Sequence, residues 1–130
     1  MSVERVNPPA LAPPRGFSHA VVGRGTTVFL AGQTALDADG RIVGATIVEQ
    51  FERALGNLLA ALGAAHGSPE QLASVTIYVT DLETYRANAA AIGVVWQRLV
   101  GGSYPAMAAV GVGRLWDPEA LVELQGFAVI

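Results

Sequence analysis

Few side chains in this 130-residue chain have the chemistry to make or break a bond, and Glu123 stands first among them. It lies in Leu121-Val122-Glu123-Leu124-Gln125-Gly126-Phe127-Ala128-Val129, a stretch with no other charge. A carboxylate held in a largely apolar hollow can position a water and take its proton as the oxygen attacks. The other reading of Glu123 is a strand glutamate facing solvent. Gln125 falls on the same strand face by alternation; it could hydrogen-bond a ligand or simply satisfy a neighbour.

Other chemistries lack their parts. There is no cysteine, so no thiolate nucleophile, disulfide or sulfur metal site, and a cytoplasmic setting is expected. His19 and His66 are the only histidines. Neither has a second ligand at metal spacing, so no metal is expected. Gly111-Val112-Gly113 lacks a third glycine, and Gly23-Arg24-Gly25 leads into a strand; neither opens a helix to cradle phosphate. No cofactor is therefore expected. No G-x-S-x-G elbow marks a serine hydrolase. Net charge is −3 with eight Lys+Arg and no basic run, which argues against nucleic acid as partner. No membrane span is expected either. The most apolar helical stretch, 47–65, carries Glu49, Glu52 and Arg53, and the N-terminus lacks a secretory apolar run.

The candidate residues need elements to hold them. Residues 1–16, with prolines at 8, 9, 13 and 14, read as an extended arm. Strands are expected at 18–23 and 27–33, joined as a hairpin through Arg24-Gly25-Thr26. Asp37 to Gly40 is a turn before a short stretch, Arg41 to Gly44. Thr46 and Glu49 have capping-box spacing, and Phe51, Leu55, Leu58 and Leu62 form the core stripe of the helix that follows. Gly67 stops it, and Ser68-Pro69-Glu70 opens a short helix. Residues 74–80 alternate Val75, Ile77 and Val79 with Thr76, Tyr78 and Thr80, a strand. Asp81 caps a second long helix over 83–100, ended by Gly101-Gly102. Strands at 106–112 and 121–130 close the chain, with Trp116-Asp117-Pro118 turning it between them. Trp96 and Trp116 read as packing residues. The order β-β-α-β-α-β-β describes one α+β domain over 1–130, a mixed sheet with two long helices on one face. The chain is 52% hydrophobic and only 15% charged, so the other face is expected to meet further copies of itself.

Gly16-Phe17-Ser18, Ala31-Gly32-Gln33, VTIYVTDL (75–82), YPAMAAVGVGRL (104–115) and VELQGFAV (122–129) together resemble the Rid family, also called YjgF-like, reactive-intermediate-deaminase or endoribonuclease L-PSP-like. The resemblance implies a chorismate-mutase-like fold of the bacillus type, a homotrimer, and three ligand clefts between subunits. Its best-known members hydrolyse reactive enamines and imines to ketones and ammonia. The family's archetype has an arginine two residues after the proline, where it pairs the substrate carboxylate; Met107 stands there. The archetype's cysteine, which offers mainly backbone groups, is matched by Ala109, and its water-holding glutamate by Glu123. Its serine before the strand-end glycine is matched by Ala31, with Gly32 retained, and its N-terminal tyrosine by Phe17. The resemblance thus implies Glu123 as catalytic residue and Phe17, Ala31, Gly32, Met107 and Ala109 as the substrate-binding set. Arg114 belongs to a family pattern that coexists with the archetypal arginine and reads as a surface or inter-subunit ion pair.

A thioether cannot do the work of a guanidinium fork. A carboxylate beside Met107 would be desolvated without a counter-charge, at roughly several kcal/mol. A neutral, more apolar ligand is the expectation from the site residues alone. Three functions follow: an enamine or imine hydrolase using water on Glu123, a non-catalytic small-molecule binder or partner-stabilising trimer, and an RNA-cleaving or translation-inhibiting protein. The acidic balance disfavours the third.

Overall fold

The computed structural model describes residues 2–130. In chain order the elements are β1 (Val3–Val6), β2 (Ala20–Gly23), β3 (Thr27–Gln33), α1 (Ile47–Ala64), a 3-10 turn (Pro69–Gln71), β4 (Leu72–Val79), α2 (Leu82–Ala87), α3 (Ala89–Leu99), β5 (Ala106–Gly111) and β6 (Val122–Val129). The α+β class expected from the sequence is the class observed.

A four-stranded mixed sheet runs β3-β6-β4-β5, antiparallel except for the parallel β4–β5 pair. Alternation decides its two faces. Val75, Ile77 and Val79 of β4 and Val122, Leu124 and Ala128 of β6 are buried in one core with Phe51, Leu55, Leu58 and Leu62 of α1 and Ile92, Val95 and Trp96 of α3. Thr46 starts α1 as expected. Its hydroxyl accepts from the Glu49 N–H at 3.2 Å, and the Glu49 carboxylate accepts from the Thr46 N–H at 3.1 Å. Gln50, 3% exposed, is the buried polar residue of this layer. Its amide donates to the Gly44 and Glu119 carbonyls, each at 3.1 Å, and accepts from the Leu121 N–H at 2.8 Å. One side chain thereby ties the loop before α1 to the loop before β6.

Five expectations need correction. The N-terminal arm is not wholly extended coil: β1 pairs antiparallel with β2, Val3 opposite Gly23 and Val6 opposite Ala20. Arg5 anchors this ribbon, donating to the Tyr104 carbonyl at 3.2 Å and the Glu70 carbonyl at 2.8 Å. The hairpin through residues 24–26 does not form, because β2 takes β1 as partner while β3 pairs with β6. Thr26 and Ile130 exchange backbone hydrogen bonds at 2.8 and 2.9 Å, which commits β3 to the C-terminal strand. The second long helix breaks at Asn88, whose side-chain amide donates to the Thr84 carbonyl at 2.9 Å and competes with the helical ladder. Trp116 is not a packing residue within the chain; it is 91% exposed on the loop between β5 and β6. Of the stretch 41–44, only a bridge between Leu36 and Ile42 is present.

Candidate functional site

The sequence-derived site residues fall into two groups on opposite faces of the sheet. Glu123 pairs across β4 with Tyr78, which pairs with Val110 of β5. That row belongs to the face turned away from the helices. Met107 pairs with the buried Val75, and Ala109 with the buried Ile77, so both belong to the helix-side face. Within one chain, therefore, Glu123 and Met107 do not meet.

The first group is built on an irregularity in β3. Leu30 pairs with Gly126 and Gln33 with Leu124, so Ala31 and Gly32 together stand opposite Gln125. Such a bulge kinks a strand and re-aims its residues. The half-buried Glu123 side chain lies against the backbone of Gly32: a Cβ at position 32 would come within 1.9 Å of Oε2 and 2.9 Å of Cδ. Only glycine leaves room for the carboxylate in this place. The chain after the bulge is pinned to α1. Asn57 donates to the carbonyls of Thr34 at 3.1 Å and Leu36 at 2.9 Å, and Arg53 donates to that of Leu36 at 3.1 Å. Gln125 shares the Glu123 face as expected and accepts from the Tyr78 hydroxyl at 3.4 Å.

The second group forms a cleft of about 310 Å³ on the other side of β5. Its position is set by Ser18, which is 4% exposed. The Ser18 N–H donates to the Pro105 carbonyl at 2.9 Å and its hydroxyl to the Tyr104 carbonyl at 2.6 Å. This lays the preceding Arg15-Gly16-Phe17 segment beside the start of β5. Phe17 meets the His19 ring edge-on at 5.1 Å, and His19 Nε2 is 2.8 Å from the Ala12 carbonyl oxygen. The cleft walls are Phe17, Met107 and Ala109 with Ile92 and Trp96 of α3 and Tyr85 of α2. Trp96 stacks on Tyr104 at 6.0 Å. Burial pushes the Tyr85 phenol up to about 12, so it stays protonated at any physiological pH.

Two polar residues of this cleft were not legible as site residues, Arg15 and Tyr85. Arg15 lines the cleft and brings a cation to a hollow that the sequence reading left without one. Its only sequence signal is adjacency to Gly16-Phe17-Ser18. Tyr85 read as part of a helix stripe. Among the described residues of one chain Arg114 has no ion pair; its guanidinium donates to the carbonyls of Leu115 at 3.2 Å and Trp116 at 3.4 Å in its own loop. Among the described residues, no group of three His, Asp or Glu side chains could hold a metal, and no helix is long and apolar enough to cross a membrane.

Comparison with known proteins agrees with this architecture. The family model described as Endoribonuclease L-PSP matches residues 8–130. A RutC family protein of Pyrococcus abyssi is 35% identical over 105 residues, covering 80% of this chain and 79% of the relative. The crystal structure of YyfB from Yersinia pestis, a protein of the conserved Rid family, superposes with a TM-score of 0.90 at 32% identity over 100% of both chains. A YjgF/YER057c/UK114 family member from Mycobacterium tuberculosis superposes with a TM-score of 0.68 at 29% identity, covering 99% of this chain and 100% of that one. The chain belongs to the Rid family, the YjgF, UK114 and RutC proteins that share the Endoribonuclease L-PSP description, and has their chorismate-mutase-like α+β fold.

Proposed function

We propose that this protein hydrolyses a small enamine or imine with an apolar body to a carbonyl compound and ammonia, in clefts between the subunits of a homotrimer. The division of the candidate residues carries this reading. Glu123 and Gly32 lie on the sheet face away from the helices, whereas Phe17, Met107 and Ala109 line a cleft on the helix side of β5. They can form one site only if neighbouring copies supply the two halves. The sheet face that would meet a neighbour is open, with Phe29 76% and Phe127 40% exposed on the same face as Glu123 and Gln125.

The chemistry asks for few groups. An enamine first takes a proton on carbon to become the imine. Water held by Glu123 adds to the imine carbon as the carboxylate takes its proton, and the C=N electron pair moves to nitrogen, which is protonated. The resulting carbinolamine loses its O–H proton, re-forms C=O and expels ammonia. In this reading Glu123 carries both protons between oxygen and nitrogen. The apolar walls strengthen each polar contact by excluding water.

Ammonia release from neutral imines generated in situ from apolar primary amines by an amine oxidase tests the proposal. Glu123→Gln should lower the rate by about 100-fold or more while the assembly persists, within the range general-base catalysis contributes. Equal rates in the two proteins would end it. Met107 in the cleft wall favours a second reading, a trimer that binds a small molecule without turnover. That reading expects a ligand that raises Tm by mass action and no ammonia from any imine.

A further inference from the structure

We infer that the apolar body taken by the cleft is a flat aryl ring lying against α3 at Gly93, and that Gly93 is the residue that sets this preference. This rests on the reading above that the cleft is the ligand site, and it names the shape of the ligand's body.

Ala89, Ile92, Gly93 and Trp96 of α3 all line the cleft. Their spacing of three and four residues puts them on one helix face, so a side chain at 93 would enter the cleft. Gly93 has none, and a Cβ built there would meet no atom within 4 Å. A glycine inside a helix costs stability relative to alanine, and packing within the chain does not require one here. Openness alone does not mark the position: Gly56 in α1 is equally free of close neighbours, away from this cleft. Gly93 differs in standing on the wall of an apolar hollow. The β5 side of that hollow is also short of side chain, at Ala108 and Ala109. Two walls thin in side-chain atoms leave a slot, and the rings of Phe17, Tyr85 and Tyr104 border it. Such a slot favours a planar ring over a saturated ring of the same diameter, which is thicker. The bordering aromatics favour it again, through edge and face contacts with an aryl group. The volume of about 310 Å³ suits one ring with a short polar end.

The test titrates the wild-type assembly calorimetrically with two uncharged probes, 2-phenylacetamide and 2-cyclohexylacetamide. Burial of apolar area alone favours the cyclohexyl body, which has more surface; the slot predicts the opposite order. The phenyl probe should bind wild type about fivefold more tightly, the size of a specific aromatic contact. Gly93→Ala should raise Tm by about 2–5 °C, because alanine is the better helix former. It should nevertheless weaken the phenyl probe by about fivefold or more, as overpacking does. Gly56→Ala should raise Tm likewise and leave both affinities unchanged. An equal or reversed order in wild type, a phenyl affinity that survives Gly93→Ala or falls as much in Gly56→Ala, a Tm loss in Gly93→Ala, or no binding of either probe at millimolar concentration would overturn the inference. Turnover is read separately. Ring selectivity that disappears in Gly93→Ala, with no ammonia from any imine, would sink the hydrolase and leave the slot standing. Glu123-dependent hydrolysis of phenyl and cyclohexyl imines at equal kcat/KM would do the reverse.

Discussion

At the scale of the residue, Glu123 and Gly32 act as a pair. The carboxylate occupies the place a Cβ would take, so the glycine is a positioning residue for the glutamate. Gly32→Ala puts a methyl 1.9 Å from Oε2, and the far end of a flexible side chain can swing away without unfolding the sheet. We expect turnover to fall on the order of 100-fold, the cost of moving a reacting group by about 1 Å. The mutant Tm should stay near wild type; kinetics beside a thermal melt will show both. A large Tm loss with unaltered kcat would mean that the close approach serves the sheet and not the carboxylate. Glu123 itself was legible in the sequence, as a lone charge on an apolar strand. Its contact with Gly32 was not, because it depends on the bulge that sets Ala31 and Gly32 against one residue of β6.

At the scale of the element, local hydrogen bonds carry measurable stability. Thr46→Ala removes the α1 cap and should cost about 1 kcal/mol in denaturant unfolding. Gln50→Leu is expected to cost more, about 2 kcal/mol, because it strands the Leu121 N–H and two carbonyls in a buried place. Two carboxyls make stability depend on acid. Glu70 lies below its ordinary 4.5, first through the Ser68 hydroxyl that donates to it at 2.7 Å. Asp81 lies below its ordinary 3.8 through the Thr84 N–H and hydroxyl at the start of α2. A carboxyl whose folded value is lowered contributes fully above its unfolded value, and the contribution is lost as pH falls through the folded one. Tm should therefore hold steady above about pH 5 and decline through the range below. Asp81→Asn should flatten part of that decline, which melts at a series of pH values will reveal. The cap at Asp81 could be read from the sequence. The break at Asn88 could not, because its preference for bonding Thr84 competes with a helix pattern that continues on both sides.

At the scale of the whole molecule, the open sheet face is the element the single chain leaves unfinished. Phe29 and Phe127 meet edge-on at 5.4 Å on that face and stay exposed. Phe29→Asp should leave the chain folded, since Phe29 takes no part in the core, and should abolish association. Light scattering would then give the 13.5 kDa of one chain instead of a multiple, and ammonia release should vanish with the assembly. A site split between copies makes a further demand. Glu123→Gln and a cleft-blocked Ala109→Trp protein, each inactive alone, should regain activity when mixed through unfolding and refolding. Some interfaces would then join an intact glutamate to an intact cleft. No recovery in verified mixed assemblies would place both halves of the chemistry elsewhere.

Alternation and helical periodicity, read from the residues alone, established the α+β class, the α1 stripe, the alternating faces of β4 and the shared face of Glu123 and Gln125. These follow from contacts between near neighbours in sequence. Tertiary structure decided that β2 leaves β3 for β1, that Met107 and Glu123 lie on opposite faces, and that Arg15 stands at the cleft. Each of those depends on a long-range partner: Thr26 with Ile130, Val75 with Met107, Ser18 with Tyr104. Period two sorts the residues of one strand into faces, but which face of one strand joins which face of another is set only when the sheet assembles.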